Sequence, residues 1–86
     1  MPIYTAMTVI NELHQIILFH RKQAKLSREA LAELAGVGKT VIYDLEKGKK
    51  TVRWSTISAV LAALNINILY QSPLMDDYAK SSHKNT

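Results

Sequence analysis

Residues 27–48 read SREALAELAGVGKTVIYDLEKG, and this stretch decides the fold. Ser27 is an N-cap signal, because Glu29 follows in the first turn and Leu31 and Leu34 fall at helical spacing. Gly36 ends that helix, since a glycine adopts the left-handed stop without a Cβ penalty. Val37 alone separates it from Gly38, where a second helix, KTVIYDLEK, begins. Gly48 closes that helix as its C′ residue, with Lys47 near the negative end of the dipole. Two helices crossing steeply over so short a turn need specific residues at set places. Ala32 supplies the small side chain at the crossing, and Gly36, four positions on, the turn. Ile42 and Leu45, three apart, supply the buried face of the second helix. Leu31, Ala35 and Val37 complete the seam. The window is a helix-turn-helix.

Outward from this unit the chain stays helical. Before it, Thr8 is an N-cap with Glu12 in the opening turns, and Ile10, Leu13, Ile17 and Ala24 follow helical spacing. The run Ile16-Ile17-Leu18-Phe19 is wider than one core stripe. It describes a deeply buried helix, or one with a second face turned to a partner. After the unit, KGKKTVR is a basic loop, and WSTISAVLAALN places Trp54, Ile57, Val60, Leu61 and Leu64 on one stripe of a helix ending at Asn65. INILYQ then changes period: Ile66, Ile68 and Tyr70 share one face, which predicts a short strand. With no second strand in the chain, the expected solution is antiparallel pairing across a dimer two-fold. Pro73 ends the strand, and the polar residues after it are too poor in apolar side chains to fold alone.

The expected class is therefore all-α, with four to five helices and one C-terminal strand. Residues 1–71 form the helix-turn-helix and dimerisation domain, and residues 72–86 a flexible tail. The 86 residues fit one domain. A chain this short buries only about 60–65% of its unfolded surface, and without cysteines oligomerisation is the common remaining support. No apolar run is long enough to span a membrane, and MPIYTAM lacks the order of a signal peptide. The expectation is a cytoplasmic, nucleoid-associated protein.

Charge sharpens the functional reading. The whole chain carries +4, yet nine of its eleven basic residues lie between Arg21 and Arg53, against four acids. A compact basic middle suits a polyanion. In a helix-turn-helix the second helix enters the DNA major groove with its N-terminal residues at base edges. Lys39, Thr40, Tyr43 and Asp44 are its exposed positions. Lys39 donates to guanine O6 and N7, Thr40 hydrogen-bonds or meets a thymine methyl, and Tyr43 lies one turn further on. Asp44 is awkward beside phosphate, so it faces away or pairs with a basic neighbour. Arg28, Lys47, Lys49 and Lys50 sit at helix ends and in the loop, where phosphate contacts lie.

Enzyme chemistry finds no footing, and neither a metal nor a cofactor is expected. His14 and His20 are six apart, on different helix faces, and His83 lies in the tail. Glu29 and Glu33 have no neighbouring nucleophile and read as dipole partners and surface charges.

The segment LSREALAELAGVGKTVIYDLEKGKKTVRWSTISAVLAAL resembles the Cro and phage-repressor (XRE) type helix-turn-helix, over about residues 10 to 70. Its ending, GKKTVRWSTISAVLAALNINILYQ, is similar to the HipB-like antitoxins, in which a strand follows the last helix. The resemblance implies a homodimer on an inverted-repeat operator in double-stranded DNA, autorepression, and capture of a kinase-like HipA toxin. It sets Lys39, Thr40 and Tyr43 where the family reads bases, and Arg28 where a phosphate-contacting glutamine is common. Gly38 departs from the usual serine cap. A stand-alone or phage-type repressor without a toxin partner shares the same DNA chemistry, as does a module that has lost DNA binding the same helical fold.

Overall fold

A computed structural model describes residues 13–84, and within them the chain is all-helical. Five helices follow in order: α1 (Leu13–Gln23), α2 (Arg28–Ala35), α3 (Lys39–Glu46), α4 (Trp54–Ala63) and α5 (Met75–Lys84). Thr8 and Ile10, the expected start of the first helix, lie outside the described residues.

The core sits where α2 packs on both α3 and α4, and α1 closes over α3. Ile17, Leu31, Ala32, Ile42, Leu45, Val60 and Leu61 are its buried side chains. The seam read from residues 31–45 is thus the centre of the molecule, with Ala35 and Val37 packed at its edge. The helix stripes are narrower than their sequences suggest. In the run 16–19 only Ile17 is fully buried, whereas Phe19 is 59% exposed. Leu34 and Trp54 point outward, and Ala24 lies beyond the end of α1, exposed. A helix with neighbours on one side covers only one face.

One device ends each of the first four helices. Lys25, Gly36, Gly48 and Asn65 all take positive φ, between 59° and 83°. The residue after each donates its N–H five positions back: Leu26 to Arg21, Val37 to Ala32, Lys49 to Asp44 and Ile66 to Leu61. These are Schellman stops, and they satisfy carbonyls that a helix end leaves without partners. Leu26, Val37 and Ile66 also turn apolar side chains onto the core. Those three stops therefore reverse the chain and seal the core at once, while the stop at Gly48 is followed by the exposed Lys49. At the other end of α2, Ser27 Oγ accepts from the Ala30 N–H at 3.0 Å, the expected cap. Gly38 leads α3 with ordinary extended backbone and no capping side chain.

Past α4 the structure departs from the sequence reading. Among the described residues, 66–71 carry no ladder, and no backbone N–H from Asn67 to Gln71 donates to another backbone group. Ile66, expected to share a strand face with Ile68 and Tyr70, instead packs against the core, while Ile68, Leu69 and Tyr70 are exposed. The Schellman bond of Ile66 sets that direction. The polar stretch after residue 71, expected to be a tail too poor in apolar side chains to fold alone, is helical from Met75 to Lys84. Local signals account for it. Ser72 Oγ accepts from the Leu74 N–H at 3.3 Å, and Asp76 and Asp77 occupy the positive first turn. Its Leu74 and Tyr78 remain at the surface.

Candidate nucleic-acid interface

The three-residue turn Gly36-Val37-Gly38 orients α3. With Ile42 and Leu45 pinned in the core, the opposite face of an eight-residue helix must look outward. Lys39, Thr40 and Tyr43 are the residues on that face, all exposed. Asp44 is half-buried, and its Oδ2 lies 3.5 Å from Lys49 Nζ. It pairs with a basic neighbour.

The cations around this face come from different elements. The Arg28 guanidinium carbon lies 4.9 Å from the centroid of the Tyr43 ring, and the Lys47 ammonium 4.4 Å. Both distances are within cation–π range. One open depression on the surface is lined by Arg28, Lys39, Thr40 and Tyr43, together with Arg21, Ser27 and Glu29. Five of the seven predicted DNA residues thus gather on one surface: Arg28, Lys39, Thr40, Tyr43 and Lys47. Lys49 and Lys50 do not join them. They border a different depression with His14, beyond the C-terminal end of α3.

Beneath the surface lies an ionic cluster that the charge count does not reveal. Glu46, at the last turn of α3, is buried and accepts from Arg21 of α1 through Nε and, at 3.1 Å, through Nη2. Arg28 Nε donates to the same carboxylate at 3.0 Å, and Arg21 Nη1 donates to the Leu26 carbonyl at 2.9 Å. The carboxylate is held bidentately by one guanidinium and capped by a second, the geometry in which such pairs are strong. Arg21 is therefore a structural ion, not part of the solvated basic face. Arg28 has a double attachment, to Glu46 and to the Tyr43 ring. No local signal marks these pairs, because Arg21 and Glu46 are 25 positions apart.

A second ion pair sits at the surface, where Lys39 Nζ donates to Glu29 Oε2 at 3.2 Å. The Glu29 carboxyl is held below its ordinary value, first by its own backbone N–H and then by the Lys39 ammonium. It is ionised throughout the neutral range.

A helix pair that displays lysine, threonine and tyrosine amid cations suits a partner with negative charge and hydrogen-bonding edges. Residues 20–71 match the family described as Helix-turn-helix. Over 62 residues the chain is 34% identical to an uncharacterized HTH-type transcriptional regulator, y4mF, of Sinorhizobium fredii (strain NBRC 101917 / NGR234). That alignment covers 72% of this chain and 82% of the relative. No helix among the described residues is long and apolar enough to cross a membrane.

Proposed function

Because the chain belongs to the helix-turn-helix family, we propose that it is a sequence-specific, DNA-binding transcriptional regulator, acting in the cytoplasm as a homodimeric repressor. The observation that carries this is the outward face at the start of α3. Lys39, Thr40 and Tyr43 are exposed there while Ile42 and Leu45 anchor the helix. Such a face presents donors to guanine, and a hydroxyl and a ring to thymine. Arg28 and Lys47, flanking Tyr43, supply charge for phosphates.

Residues 1–71 are the DNA-binding and dimerisation unit in this reading, and the stretch from 72, helical over Met75–Lys84, is an appendage to it. Exposed Ile68, Leu69 and Tyr70, with backbone N–H groups of 67–71 that have no backbone partner among the described residues, support pairing of this segment with its two-fold mate. A two-fold dimer reads an inverted repeat whose half-sites lie about one helical turn, roughly 34 Å, apart. Selection from a random pool of duplexes tests it. The expected product is an inverted repeat with that spacing; a pool that stays random overturns the function.

The finer role is that of an antitoxin which represses its own operon and captures a HipA-like kinase toxin. Support comes from the likeness of residues 48–71 to the HipB-like antitoxins. The alternative, a stand-alone or phage-type repressor, differs only in lacking that partner. A kinase-like reading frame beside the gene, whose product co-purifies with this chain, is the expected finding for the antitoxin. A solitary gene favours the alternative.

A further inference from the structure

Lys39 opens the recognition helix, yet its ammonium is already engaged, 3.2 Å from Glu29 Oε2 on the neighbouring helix. Both side chains are largely exposed, at 61% and 66%, so burial does not force them together. Glu29 stands in the first turn of α2, two residues after the Ser27 cap, and borders the same depression as Lys39 and Thr40. Its place on α2 is thus set by the cap, and that of Lys39 by the turn at Gly36. A lysine ammonium has three donors and no acceptor. The major-groove edge of guanine offers two acceptors, O6 and N7.

We infer that Glu29 is a positioning residue for base reading: it holds one donor of Lys39 and leaves two for a guanine edge, while cancelling the lysine charge toward phosphate. The inference rests on the DNA-binding role proposed above. Two consequences follow from the pairing. A flexible four-carbon stem is confined before DNA arrives, which favours the single geometry a base edge demands. The paired ammonium is also a poor phosphate ligand, so the pair weakens attachment to duplexes that lack the right base. The ionised state of Glu29, held by its own backbone N–H and by Lys39, is consistent with this role. A carboxylate facing DNA would otherwise only repel it.

The test compares the full-length wild type, Glu29→Gln, Lys39→Ala and the double variant. Each is titrated against the selected inverted repeat and a scrambled duplex at several salt concentrations. Glu29→Gln should lower the preference for the selected duplex about two- to fivefold, the worth of one exposed ion pair. It should also steepen the salt dependence on scrambled DNA by about one counterion, because Lys39 is freed for phosphate. In the Lys39→Ala background the same change should leave the preference unmoved. Thermal melting verifies that the variants are folded, and a purely structural role would shift melting and not preference. An unaltered preference in Glu29→Gln overturns the assignment, as does an equal change with and without Lys39. Both results leave DNA recognition standing. A wild type that binds no duplex overturns the DNA-binding role and the assignment together.

Discussion

Glu46 closes the last turn of α3 with its carboxylate seated on the guanidinium of Arg21 from α1, two charged groups buried at 9% and 8% exposure. Removing one partner of a buried pair strands the other charge in a poor solvent, at about 3–5 kcal/mol. Small domains have only about 5–15 kcal/mol in total. Arg21→Ala should therefore shift the urea midpoint sharply downward, whereas Arg28→Ala should cost about 1 kcal/mol or less. Arg28 is 40% exposed along its side chain, and water takes its place beside Glu46. Equal midpoints for the two variants would contradict this division.

The left-handed stops give a paired prediction of opposite sign. Gly36 has φ +71°, so Gly36→Ala should destabilise by about 1–2 kcal/mol although nothing crowds the added Cβ. Lys25 holds the same conformation, at φ 59°, with a side chain. Lys25→Gly should gain about 0.5–1 kcal/mol, read as a higher midpoint in denaturant. A loss at Lys25 would mean that its side chain makes a contact worth more than the strain.

Lys49 and Lys50, adjacent in sequence, should behave differently on DNA. Lys49 lies 3.5 Å from Asp44, while Lys50 has no such partner among the described residues. Lys50→Ala should weaken all duplexes alike and flatten the salt dependence by about one unit. Lys49→Ala should flatten it less, because its charge is already offset by Asp44. Titrations of a scrambled duplex at three or more salt concentrations resolve the two slopes.

Self-association is accessible without DNA. Light scattering at micromolar concentration should give about twice the 9.7 kDa chain mass. Ile68→Pro removes an N–H that cross-strand pairing would use, and should shift the mass toward the monomer. Ile66→Pro is no substitute, since the Ile66 N–H already serves the stop of α4. A dimer indifferent to proline at 68 would move the interface elsewhere.

Acid titration reports on the surface pair. The Glu29 carboxyl titrates below its ordinary value, first through its backbone N–H and then through Lys39. A carboxyl lowered on folding contributes stability that is present above its unfolded value and lost as pH falls through its folded one. Lys39→Ala should raise the Glu29 midpoint followed by carboxyl NMR, yet leave it below the ordinary value, because the backbone hydrogen bond persists. A midpoint unmoved by the substitution would dissolve the pair in solution.

What the sequence determined by itself was local. Ser27, Gly36, Gly48 and the spacing of Leu31, Ala32, Ile42 and Leu45 specify α2, the turn and α3, since capping and helix stops act within five residues of the chain. The outward face of Lys39, Thr40 and Tyr43 follows from that periodicity alone. Only the tertiary structure decided which charges are partners. Arg21, counted with the basic surface, lies buried on Glu46; Arg28 is tied to Glu46 and Tyr43; and Lys39 is met by Glu29. It also packed Ile66 against the core and left Phe19, Leu34 and Trp54 outside. Composition counts charges and apolar residues without saying which will meet. That depends on how helices distant in sequence cross, and a crossing is set by the packing of the whole core.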